Sequence, residues 1–143
     1  MPDQSSQPNK FFMKTEILKE KYIKYNLTQD DVFKHQHYII ITRSGIEKIQ
    51  AIEGIEIHYE VIKCEENFAV VKAKATKRKV PSGSVQTFGS ALKGKSYQDG
   101  NTNTWYVMEM AEKRALSRAV LKLTGFYELG VFGEDESDEF KKN

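Results

Sequence analysis

The sequence predicts an α+β domain, an antiparallel β-meander of β-β-β-α order packed against a long C-terminal helix, with a strand and short helices ahead of it. Three observations carry that expectation. Residues 55–64, 68–80 and 84–92 have strand character and are separated by the turn formers Glu65-Glu66-Asn67 and Pro81-Ser82-Gly83. In the second run Ala69, Val71, Ala73 and Ala75 alternate with Phe68, Val70, Lys72 and Lys74, the period of a strand with two unlike faces. After a polar loop, Thr104 to Gly125 carries the longest clean helical period in the chain, with Thr104 as N-cap and Gly125 as terminator.

From the N-terminus, residues 1–10 are polar, contain two prolines and are expected to be disordered. Phe11, Ile17, Leu18, Tyr22 and Tyr25 fit an amphipathic helix, and a short helical turn follows Thr28. The run from His37 to Thr42 reads as a buried strand. Ser44 and Glu47 have capping-box spacing ahead of Ile46, Ile49 and Ile52, and Gly54 closes that helix. Ile55, Ile57, Tyr59 and Val61 then alternate toward one face. In the last helix Met108, Ala111, Ala115, Leu116, Ala119 and Leu123 share a face, and the three alanines allow close approach of a sheet. Trp105 begins that face. It serves either as an apolar anchor of the helix start or, with Tyr97, as a surface on which bases stack. One domain is expected over 11–128, followed by an acidic tail over 129–143.

Composition narrows the function classes. With 39% hydrophobic and 29% charged residues in 143, the chain reads as soluble and globular, and no apolar run is long enough for a membrane span. No signal-peptide core opens it, so a cytoplasmic location, bacterial or in a phage-infected host, is the expectation. The single Cys64 excludes an internal disulfide framework and a cysteine-cluster zinc site. A net charge of +2 hides a strong asymmetry: residues 1–66 sum to −2, 67–127 to +8 and 128–143 to −4. A basic stretch of that size points to a phosphate backbone as partner.

Catalytic signals are weak. Gly89 to Ser96 matches the P-loop pattern G-x-x-x-x-G-K-S, yet the helix that must follow is replaced by YQDGNTNT. A nucleotide-binding protein is the alternative this motif leaves open, and a non-catalytic protein-interaction adaptor is the other. His35, His37 and His58 lack partners at ligand spacing, and Cys64 lacks a base, so no enzyme activity, metal or cofactor is expected. The basic residues form three groups instead. Lys72 and Lys74 share a strand face, with Lys77, Arg78 and Lys79 continuing toward a hairpin tip. Lys93 and Lys95 flank the loop, and Arg114, Arg118 and Lys122 form an i, i+4, i+8 stripe on the helix. These ten cations and Tyr97 are the candidate DNA-binding residues.

The run MAEKRALSRAVLKLTG, 110–125, resembles the last helix of the single-strand annealing superfamily. That group includes phage recombinases of the Erf and Red-beta types and the eukaryotic annealing protein of recombinational repair. Ala111, Lys113, Arg114, Ala115, Arg118, Ala119 and Gly125 hold the matching positions. ITRSGIEKIQAIEGIEIHYEV is similar to that superfamily's entry into its meander, VQTFGSA to its third strand, and FGEDESDEF to the acidic end of small phage members. The resemblance covers roughly 36–140. It implies single-stranded DNA binding and strand annealing in recombination or repair, without nucleotide or metal. It also implies self-association into a ring or filament, with the acidic tail available to a protein partner.

Overall fold

Alternation along residues 68–77 puts Ala69, Val71, Ala73 and Ala75 on one side of a strand, all buried, and turns Lys72 and Lys74 to the other. In the computed structural model, which describes residues 10–94, 100–102 and 105–136, this strand is β4 (Phe68–Lys77). It is the middle of an antiparallel sheet between β3 (Ile55–Cys64) and β5 (Val80–Leu92). Helix α3 (Val107–Leu123) packs on one face of that sheet, so the expected β-β-β-α arrangement is present. Small residues set the separation. Ala111, Ala115 and Ala119 are fully buried, and Gly89 of β5 lies against their backbone. A Cβ at Gly89 would fall on the Ala111 carbonyl oxygen, so the helix sits as close as glycine allows. The Thr87 hydroxyl then donates to the Ala115 carbonyl at 2.8 Å, pinning helix to strand.

A second sheet holds β1 (Val32–His35), β2 (Tyr38–Ile41) and β6 (Val131–Gly133), in the order β1-β2-β6. β1 and β2 are an antiparallel hairpin turned through Gln36 at φ 57°, whereas β6 runs parallel to β2. Helices α1 (Lys10–Lys24) and α2 (Arg43–Glu53) complete the molecule. Their apolar faces meet α3 and the second sheet through Leu18, Tyr25, Ile46, Ile49, Leu121, Phe126 and Val131, all in one core cluster.

Four expectations are corrected. The first concerns α2, whose N-cap is Thr42: its Oγ1 accepts from Gly45 N at 3.3 Å, while the Ser44 hydroxyl donates to Asp31 at 2.5 Å. Gly54, at φ 64°, closes α2 as expected. The second concerns the β4–β5 turn, which falls at Arg78-Lys79 rather than at Pro81-Ser82-Gly83. Pairing jumps from Lys77↔Val80 to Thr76↔Ser84, so residues 81–83 are the surplus of a bulge. Pro81 is tolerated because β5 is an edge strand. The third concerns α3, which starts at Val107, with Trp105 before it and exposed. The fourth concerns the tail: its first residues are folded. Val131 is buried, and Phe132 packs edge-on against Tyr38 and Tyr127 at 5.4 and 5.2 Å. The expected disordered N-terminus up to residue 9, Thr104 and residues 137–143 lie outside the described residues.

Candidate nucleic-acid interface

The sheet face turned away from α3 is open. His58, Glu60, Lys74, Gln86 and Phe88 on it are all exposed. Strand register makes two adjacent rows across it. Lys72 stands between Glu60 and Phe88, and Lys74 between His58 and Gln86. Residues two apart on a strand lie about 7 Å apart on the same face, so the two ammonium groups make a short cationic line. Lys72, half-buried, is 3.6 Å from exposed Glu60, a pair of small energetic weight. Lys74 has no ion pair among the described residues. Phe88, 51% exposed, continues the Lys72 row, and Ser84 and Thr76 line the row beyond Lys74. Cations beside an exposed ring on a sheet surface are the elements with which a protein holds phosphates and stacks a base. Phe88 was not anticipated as a site residue, although its alternation with Thr87 and Gly89 placed it on this face.

Around the β4–β5 tip the cations divide. Arg78 is exposed and 2.9 Å from Glu56, and Lys79 is exposed. Lys77 points to the helix side, 3.8 Å from Glu53. There the Tyr25 hydroxyl donates to Glu53 at 2.5 Å and, with Lys24 and Lys77, holds that carboxyl below its ordinary range against the effect of burial. Lys77 therefore serves the junction of α1, α2 and β4.

The helix stripe requires a correction. Arg114 is 0% exposed. Its guanidinium donates to three backbone carbonyls: Ser90 at 2.8 Å, Asn101 at 2.6 Å and Asp135 at 3.1 Å. Arg118 donates to the Phe88 carbonyl at 2.8 Å and to the Glu136 carboxylate at 2.5 Å. Ser90 and Phe88 are on the outer edge of β5, whose carbonyls no strand pairs. The two arginines cap that edge and tie the segment after β6 to it, which is the protection an edge strand requires. A phosphate could reach Arg114 only by displacing this packing. Arg118 is partly exposed but similarly committed, while Lys122 is exposed with its ammonium 5.8 Å from the Tyr127 ring. Spacing by four revealed the row; it could not reveal that the row abuts an edge strand.

Residues 134–136 are the counterpart. Glu134 accepts from the Arg43 backbone N–H at the start of α2 at 2.7 Å, and Asp135 accepts from the Ser117 hydroxyl at 3.1 Å. A Cβ on Gly133 would come within 2.7 Å of the Ser117 Cβ, so glycine lets β6 deliver these acids against α3.

At the far end of β5, the Lys93 ammonium sits 4.2 Å from the centre of the Trp105 ring. Trp105 is 61% exposed and Tyr106 71%, so the core-anchor reading of Trp105 does not hold. Lys95 and Tyr97 lie outside the described residues.

The chain matches no family model, no curated protein and no solved structure.

Of the P-loop pattern, Gly89, Ser90, Ala91 and Leu92 are strand paired with β4, and Gly89 lies against the α3 backbone, so the first glycine is not in a phosphate-wrapping loop. Among the described residues no group of three or more His, Cys, Asp or Glu side chains is placed to hold a metal ion. His35 ends β1 and His37 is in the turn after it, while His58 is in β3, on another sheet. Among the described residues no helix is long and apolar enough to cross a membrane.

Proposed function

We propose that the chain binds single-stranded DNA on the open face of the β3–β4–β5 sheet and acts as an annealing-type protein of recombination or repair, of phage or mobile-element kind. The observation that carries this reading is the pair of rows on that face: Lys72 beside exposed Phe88, and unpaired Lys74 beside Gln86 and His58. Lys79 and Arg78 at the hairpin tip extend the cationic line. The lysines would contact phosphates, and no bond is broken. Sequence information would come from the bound strand's own pairing edges, left available to a complementary strand. Neither nucleotide nor metal enters this reading. The resemblance of residues 36–140 to annealing proteins supports it, and so does the β-β-β-α core.

Self-association belongs to the same proposal. Among the described residues no strand pairs with the outer edge of β3, and Val61 and Ile62 on this strand are exposed, which suits edge-to-edge addition of a second copy. The test is fluorescence anisotropy of end-labelled single-stranded and duplex DNA over a salt series. With about four phosphate contacts, the single-strand affinity should fall with a log–log slope of about −3. Absence of binding at low salt, or equal affinity for duplex, overturns the reading.

A further inference from the structure

Resting on the single-strand reading above, we propose that Trp105, with Tyr106 beside it and Lys93 over it, is a stacking station for one unpaired base of the bound strand. Two neighbouring aromatic residues that are 61% and 71% exposed have not been used by the core. The lysine facing the ring is anchored at the end of the sheet through its backbone. Lys93 N donates to the Asn67 carbonyl at 2.8 Å, and Gly94 N donates to the Thr102 carbonyl at 3.1 Å. These bonds carry β5 one residue past Leu92, and the Lys93 ammonium lies 4.2 Å from the indole centre. An indole takes any base on its π-face, and a lysine at that ring can turn to the phosphate of the same nucleotide.

Charge selects the occupant. Residues 67–127 carry 11 Lys and Arg against 3 Asp and Glu, which favours a polyanion over an acidic-poor protein surface. Phe88 to Leu92 spans about 13 Å of strand and Lys93 alternates to the α3 side, so the station lies at the end of β5 and a strand leaving the open face reaches it by passing round that end. A duplex could not use it, since its bases are already stacked on each other.

Trp105 is the only tryptophan, so its emission reports on this site alone. The full chain is titrated with oligo-dT, with an abasic oligonucleotide of equal length and charge, and with a dT·dA duplex. Anisotropy of an end label follows binding independently. Oligo-dT should quench Trp105, whereas the abasic strand should bind without quenching. Trp105→Ala should weaken oligo-dT roughly 5- to 100-fold, leave abasic binding unchanged, and be partly rescued by Trp105→Phe. Circular dichroism should show the variant folded, because the side chain is exposed. Oligo-dT binding without quenching overturns the station but leaves the single-strand reading intact. Equal loss on both strands, equal quenching by duplex, or concentration-dependent quenching without DNA likewise overturns the station. No anisotropy change with any oligonucleotide overturns both.

Discussion

Replacing Arg114 by Ala separates an edge-capping arginine from a phosphate-binding one. Arg114 is 0% exposed and donates to the carbonyls of Ser90, Asn101 and Asp135. Hydrogen bonds from a charged donor contribute about 1.5–3 kcal/mol each, but burying the guanidinium takes back much of that sum. What the substitution leaves is the Asn101 and Asp135 carbonyls without this donor, the Ser90 carbonyl with only the Asn101 side-chain amide at 3.3 Å, and a cavity between α3, β5 and the segment after β6. Leaving a buried acceptor without its donor costs about 1–3 kcal/mol, so two of them together cost about 4 kcal/mol. Against a total stability of about 5–15 kcal/mol, the variant should be on the margin of folding. In urea, with a slope of about 2 kcal/mol/M, the midpoint should drop by roughly 2 M. Single-strand affinity, measured where the variant is still folded, should change less than twofold. A variant as stable as the parent but with markedly weaker DNA binding would refute the edge-capping account and restore Arg114 as a phosphate contact.

Three further outcomes follow from the same geometry. Gly89→Ala forces a methyl against the α3 backbone at Ala111 and Ala115, and should cost about 3 kcal/mol in chemical denaturation; a neutral effect would mean that the helix is not held at this distance. Asp31, 2% exposed, would have its pKa raised by burial, but hydrogen bonds from Lys48, Ser44 and Thr28 outweigh that and hold it well below the carboxylate range. Its contribution is therefore present above the ordinary pKa of about 4 and lost as pH falls below it, so Asp31→Asn should lose about 2 kcal/mol at pH 7 and much less at pH 2 in parallel denaturations. Glu136→Gln should loosen Arg118 and cost about 1–2 kcal/mol of stability; thermal melts identical to the parent would show that the ion pair is idle.

How much of this was legible depends on range. The sheet and its closing helix follow from periods of 2 and 3.6 that each segment carries by itself. Ala69 to Ala75 and Ala111, Ala115 and Ala119 advertise both surfaces of one contact. β1 and β6 were missed because VFKH and VFG are too short to show alternation, and β6 is stabilised by parallel pairing to residues about ninety positions away. The site divides the same way. Lys72 and Lys74 are placed by their own strand. Arg114 was misassigned because nothing local distinguishes a cation facing phosphate from one facing an unpaired strand edge. Trp105 sat on the helical face by counting, but the helix begins two residues later, at Val107, and leaves the indole outside.

The most direct test of the open-face reading is the salt dependence of single-strand binding for Lys72→Ala/Lys74→Ala, set against Lys34→Ala on the other sheet. Loss of two phosphate contacts should reduce the slope magnitude by about 1.4, while Lys34→Ala should leave it unchanged. An unchanged slope in the double variant, or an equal change in Lys34→Ala, would contradict the placement of the strand on this face.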